Sequence, residues 1–91
     1  QIDREGRQII SAAGYGDFFV HRTGHGIGVE AHEEPYIVEG NADPIQSGNV
    51  FSIEPGIYIP SKWGIRLEDI VAVTKSGPLS LNTVNHDLAT Y

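Results

Sequence analysis

Val50-Phe-Ser-Ile-Glu-Pro-Gly-Ile-Tyr-Ile-Pro-Ser-Lys-Trp-Gly-Ile-Arg-Leu-Glu-Asp-Ile-Val-Ala-Val-Thr74 carries the alternation that decides the fold. Val50–Glu54 and Ile57–Ile59 alternate as strand, and Pro55-Gly56 breaks the run between them. Ser61-Lys-Trp-Gly64 reads as a turn. Ile65–Thr74 is the clearest strand, rich in β-branched residues. Alternation puts Glu54 on one face with Ser52 and Val50, opposite Phe51 and Ile53. It puts Arg66, Glu68 and Ile70 on one face, opposite Leu67, Asp69 and Val71. A hairpin centred near Ser61 sets Glu54 opposite Glu68. Directly opposed strand residues have Cβ atoms about 4.5–5.5 Å apart, and like charges there destabilise the pair. A bound divalent cation, protonation of one carboxyl, or a register shift at Pro55-Gly56 each relieves the repulsion. Two solvated surface carboxylates are the plain alternative.

Working outward, Lys75-Ser-Gly-Pro78 is a turn and Leu79-Ser-Leu81 a last edge strand. Upstream, residues 2–13 read as an amphipathic helix with Ile2, Ile9, Ile10 and Ala13 roughly on one face, ended by Gly14-Tyr-Gly16. Phe18-Phe19-Val20 reads as a short strand. It leads into His21–Gly28, where alternating Gly24, Gly26 and Gly28 disfavour a helix and allow close backbone approach. Residues 33–48, with Pro35, Gly40, Asn41, Asp43, Pro44 and Gly48, read as a surface loop. There is no internal repeat. One helix followed by an antiparallel sheet is α+β.

Composition narrows the function. The chain has 91 residues, the size of one domain. It has no Met, even at position 1, and residues 1–10 read as a helix already under way, so a piece of a longer protein is expected. With no Cys, neither a disulfide framework nor a thiolate zinc site is possible, which fits a reducing cytoplasm. The net charge of −6 includes only six Lys and Arg and no basic cluster, so nucleic acid is a poor partner. No apolar run approaches the roughly 20 residues of a membrane span, so no membrane partner is expected.

The chemistry sits in three segments: His21-Arg-Thr-Gly-His25-Gly-Ile-Gly28 with His32-Glu-Glu-Pro35 behind it, Phe51-Ser-Ile-Glu54-Pro-Gly56, and Gly64-Ile-Arg66-Leu-Glu68-Asp69. One imidazole and two carboxylates arriving on separate segments suit a metal such as Mn, Co, Fe or Zn. His21 and His25 have the four-residue spacing of a helical zinc pair, but the glycines argue against a helix there. Hydrogen-bonded core or surface histidines are the alternative. The imidazoles that bind no metal can exchange protons near neutrality. Arg66 can hold a carboxylate of the protein or of a peptide in a fixed fork, or form a surface ion pair. Asp69 has a supporting or structural place. Trp63 caps the sheet or lines a pocket, and His86 reads as solvated.

Together these motifs resemble the Xaa-Pro peptidases, prolidase and aminopeptidase P, of the pita-bread-fold metallopeptidases. The similarity runs from about Gln1 to about Asn82. Gly24-His-Gly-Ile-Gly28 and His32-Glu33 are shared with the methionine aminopeptidases. His21, Ile53-Glu-Pro-Gly-Ile-Tyr58 and Arg66-Leu-Glu-Asp69 look like the proline-specific branch. The resemblance implies a dinuclear site of two divalent ions (Mn, Co or Zn) with His25, Glu54 and Glu68 as ligands. It implies that Glu54 also takes a proton from the attacking water and that His32 is catalytic, bonding the scissile carbonyl. It implies that His21 and Arg66 bind substrate. The family's two Asp ligands have no match here, since Asp3, Asp17 and Asp43 lie in the wrong settings.

The chain thus looks like one unit, residues 1–91, the C-terminal half of the catalytic domain. Its expected partners are an Xaa-Pro peptide and the missing N-terminal half, and alone it is expected to be inactive. A homodimer is also expected, with Phe51, Ile53, Val71 and Val73 covered by helix 2–13 of either chain. The rivals are a creatinase-like hydrolase without metal, a binding protein on the same fold, and methionine aminopeptidase.

Overall fold

The computed structural model describes residues 1–90. The first element is an α-helix, α1 (Ile2–Ala12), followed by a single 3-10 turn (Gly16–Phe18). Seven strands follow: β1 (Gly24–Gly26), β2 (Glu33–Ile37), β3 (Val50–Ile53), β4 (Gly56–Ile59), β5 (Trp63–Arg66), β6 (Asp69–Thr74) and β7 (Gly77–Ser80). Five of them form an antiparallel sheet in the order β2-β1-β3-β6-β7, while β4 and β5 form a two-stranded ribbon. The α+β class holds.

The central hairpin has the expected register. In the sheet Ile53 pairs with Asp69, and in the ribbon Gly56 pairs with Arg66 and Ile59 with Trp63. Both ladders share one register, so residues 54 and 68 fall opposite each other at the break between them. The turn at its tip is Pro60-Ser-Lys62, with Ser61 in the left-handed region at φ 61°. Residues 65–74 are not one strand: the run breaks at Leu67-Glu68 into β5 and β6. The facing strand breaks at Glu54-Pro55, where proline offers no N–H, so the ladder is interrupted on both sides at once. Trp63 and Gly64 lie in β5 rather than in a turn, and Trp63 meets Tyr15 with ring centroids 6.2 Å apart.

Three other expectations of secondary structure fail. Phe18-Phe19-Val20 is no strand: Phe18 ends the 3-10 turn, Phe19 is buried in the core and Val20 is exposed. The expected 33–48 loop begins with β2, whose Pro35 and polar Glu33 and Glu34 conceal a strand. Proline is tolerated there because β2 is an edge strand. Pro78 likewise lies in the opposite edge strand, β7, not in a turn. The apolar stripe of the helix does not cover the sheet: Ile9 is 73% exposed, and α1 packs on the 3-10 turn rather than on β3 and β6. Phe51 is buried, while Ile53, Val71 and Val73 are only partly covered.

A polar cluster anchors α1 instead. Asp3 is 1% exposed. It accepts hydrogen bonds from the Thr23 backbone N–H at 3.0 Å, the Thr23 hydroxyl at 2.8 Å and the Arg7 Nε at 2.9 Å. Burial raises the pKa of this carboxyl, but the bonds from Arg7 and Thr23 outweigh burial and hold it below its ordinary value.

Backbone contact at β1 is equally tight. A Cβ on Gly24 would lie 1.8 Å from the Ser52 carbonyl oxygen, and one on Gly26 would lie 2.1 Å from that of Glu34. Only glycine lets β1 sit between β2 and β3 this closely.

Two predictions follow from the packing. Gly24→Ala should destabilise by about 3 kcal/mol or more, at the upper end of overpacking costs. Gly6→Ala, in the helix interior with nothing within 4 Å of the added atom, should stabilise by about 0.5–1 kcal/mol. Urea midpoints of the two variants check this, and equal midpoints would refute it.

Asp3 also carries a pH signature. Its folded pKa is depressed, so its contribution is complete above its ordinary value of 3.8 and is lost as pH falls through the lower folded value. Asp3→Asn should lower stability at neutral pH by about 1.5–3 kcal/mol. It should also flatten the acid limb, as read by melting temperatures between about pH 5 and pH 2.

Candidate active site

His25 sits in the middle of β1, where the β1–β2 register slips: Gly24 pairs with Ile37 but Gly26 with Glu33. Irregularities of this kind re-aim side chains next to active sites. The His25 backbone N–H donates to Ser52 Oγ at 3.0 Å, and its ring Nδ1 lies 3.0 Å from the Gly26 carbonyl. A carbonyl only accepts, so Nδ1 carries the proton and donates. The other ring nitrogen, Nε2, faces Glu54 Oε2 3.3 Å away, and in the neutral ring it carries the electron pair. Ser52 and Glu54, on one face of their strand by alternation, thus both meet His25. The Glu54 backbone N–H donates to the Thr23 carbonyl, which links the segment after β3 to the one before β1.

Around this pair lies an open cleft of about 470 Å³ lined by His21, Arg22, His25, His32, Val38, Glu54 and Arg66. His32, exposed, meets the His25 ring edge-on with centroids 4.5 Å apart. His21 is held at three points: Nδ1 donates to the Arg22 carbonyl at 2.7 Å, Nε2 accepts from the Tyr58 hydroxyl at 2.9 Å, and the ring is edge-on to Phe19. The Arg22 guanidinium lies over the Tyr36 ring.

Five of the six expected site residues therefore meet at one cleft. The sixth, Glu68, does not line it. Its carboxylate is 3.6 Å from the Nε of Arg66, the last residue of β5. Among the described residues no three His, Asp or Glu side chains converge as a complete metal-binding group. The donors that do converge, an imidazole nitrogen and a carboxylate oxygen, fit a divalent transition metal. Asp3 is engaged with Arg7 and Thr23, consistent with its setting not being that of a ligand.

Outside the cleft, Asp69 has a structural place. It accepts from Asn82 Nδ2 at 2.6 Å and from His86 Nε2 at 3.0 Å, pinning the C-terminal tail to β6. His86 is accordingly paired rather than merely solvated. Sequence reasoning missed Tyr58, Ser52 and Arg22, whose roles depend on contacts between segments. It also missed the Asp3–Arg7 pair, whose i,i+4 spacing was visible but reads as an ordinary exposed helix pair.

Known proteins share this fold. Dipeptidase PepE from Mycobacterium ulcerans superimposes with a TM-score of 0.91 at 57% identity, over 94% of this chain and 23% of that one. Prolidase from Thermococcus sibiricus gives a TM-score of 0.92 at 49% identity, over 94% of this chain and 23% of that one. Among curated sequences, the Xaa-Pro dipeptidase of Lactobacillus helveticus is 50% identical over 88 residues, 97% of this chain and 24% of its own length. The chain spans about a quarter of the length of the curated relatives it matches. Its helix and antiparallel strands are part of the pita-bread fold of those prolidases. The model of metallopeptidase family M24 matches residues 1–75, most of the chain, and this chain belongs to that family.

Proposed function

We propose that this chain is the C-terminal half of the catalytic domain of a longer M24 peptidase that hydrolyses the peptide bond before proline. In this reading His25, Glu54 and Glu68 are ligands of a dinuclear centre of Mn, Co or Zn. The observation that carries it is the His25–Glu54 contact. With Nδ1 donating to the Gly26 carbonyl, an imidazole electron pair faces a carboxylate oxygen at 3.3 Å. Two electron-pair donors so placed require a proton or a cation between them. Glu68 joins by turning from Arg66 toward Glu54, which the hairpin register sets opposite it. The remaining ligands come from the rest of the polypeptide.

When bound, the metal ions activate a water and polarise the scissile carbonyl. Glu54 accepts the proton of the attacking water. His32, exposed at the mouth of the cleft, donates to the oxygen that gains charge as the carbonyl is attacked. His21, fixed by Tyr58 and Phe19, and Arg66, half exposed on the lining of the cleft, hold the substrate. A prolyl imide has no N–H to offer, so the cleft must orient the substrate through its carbonyls and chain termini, to which His and Arg donors are suited. The names prolidase and Xaa-Pro dipeptidase carried by the relatives favour proline over methionine as the recognised residue.

In the full-length polypeptide, His25→Ala and Glu68→Gln should each lower kcat/KM for Ala-Pro by at least about 100-fold, since changes one shell further out already cost 10–100-fold. Each should also lower the metal content measured by elemental analysis. His86→Ala, exposed and outside the cleft, should stay within about twofold of the parent. The 91 residues alone should show no turnover whatever metal is supplied. A fully active Glu68→Gln protein with its full metal complement would overturn the ligand assignment.

A further inference from the structure

Arg7 is a helix residue outside the cleft, yet it holds two residues, Phe19 and His21, of the segment that leads into it. Its Nη1 donates to the Phe19 carbonyl at 2.9 Å and its Nη2 to the His21 carbonyl at 2.8 Å. Its guanidinium carbon lies 4.1 Å from the centre of the Phe19 ring, and that ring in turn meets the edge of His21. Asp3 completes the arrangement. It accepts from Arg7 through both carboxylate oxygens and holds the Thr23 N–H and hydroxyl, two residues before His25. The Thr23 carbonyl then accepts the Glu54 N–H. One buried carboxylate and one guanidinium thus reach the backbone on both sides of His21, the approach to His25, and Glu54.

We propose that Asp3 and Arg7 are positioning residues for the reaction, Arg7 setting the place of His21 and Asp3, through Thr23, that of His25 and Glu54. This rests on the peptidase reading above. An ion pair present only for stability needs charge and reach, which lysine supplies in place of arginine. What lysine does not supply is a planar fork that serves a carboxylate and two carbonyls together and stacks on an aromatic ring. The pair that Arg4 of the same helix makes with Glu39, just after β2, is the contrast: it is exposed, and neither residue lines the cleft. A misplacement of about 1 Å caused far from the chemistry can cost about 100-fold, so a loosened His21 should be visible kinetically.

The test uses the full-length polypeptide with Arg7→Lys, Arg7→Ala and Arg4→Ala. Arg7→Lys should raise KM for an Xaa-Pro dipeptide by about 10-fold or more, with a smaller change in kcat, because His21 is assigned to the substrate. Arg7→Ala should show a larger defect that about 10 mM guanidinium, too dilute to denature, partly reverses. Arg4→Ala should match the parent. Hydrogen exchange of the peptide covering residues 18–25 should be faster in Arg7→Lys than in the parent, a readout that needs no turnover. Parental KM and parental exchange in Arg7→Lys would overturn the proposal, as would an Arg7→Ala defect that guanidinium leaves unchanged. If the parent does not cleave Xaa-Pro dipeptides, the peptidase reading fails, and the exchange comparison still decides whether Arg7 positions the segment.

Discussion

Asp69 faces Ile53 in the main sheet and Arg66 faces Gly56 in the ribbon, in one uninterrupted register. A register slip by one residue turns every side chain to the other face of a strand. Here a slip of β3 against β1, which pair at Phe51 and Gly26, would carry Glu54 away from His25, and Ser52, which accepts the His25 N–H, away with it. The break at Glu54-Pro55 and Leu67-Glu68 frees the backbone at the positions where the carboxylates face each other, while the ladders on either side keep them aligned. The cleft depends on that constraint more than on hydrophobic burial. Among the described residues the buried apolar side chains are Phe19, Ile37 and Phe51, and each sits beside a segment that carries a site residue.

The second support is polar. Ser52, Asp3, Thr23 and His25 are buried and hydrogen-bonded, and among the described residues no buried side-chain nitrogen or oxygen lacks a partner. Buried polar groups are costly unless satisfied, and networks that satisfy them specify one arrangement rather than many. The Asp3 network ties α1 to the backbone before β1, and Gly24 and Gly26 let β1 lie close against both neighbours. The same small set of contacts therefore holds the fold and aims the cleft.

Much of this was legible in the sequence. The midpoint near Ser61 gave the hairpin register, because alternation on both sides and a turn between them leave few choices. Alternation set Ser52 and Glu54 on one face, but that Glu54 meets His25 was implied only by the family resemblance, and the Ser52–His25 contact depends on how β1 packs against β3. The edge strand β2 was hidden because its proline and polar residues read as a loop, and only a sheet edge excuses them; β7 was expected as an edge strand but starts earlier, at Gly77, and includes Pro78. The helix stripe misled for a different reason: Ile2 and Ile9 have the spacing of a core face, whereas the residue that is buried is Asp3. A carboxylate at that position advertises nothing until its partners Thr23 and Arg7 are folded around it. Glu68 was placed correctly by register, but its side chain answers to the local charge of Arg66.

The most direct measurement is the position of a metal in crystals of the full-length polypeptide grown with zinc and read by anomalous scattering at the zinc edge. A peak about 2.0–2.2 Å from His25 Nε2 and from Glu54 and Glu68 carboxylate oxygens, with Glu68 turned away from Arg66, is the predicted result. Zinc bound through His21 or His32 instead, with Glu68 still paired to Arg66, would contradict the account.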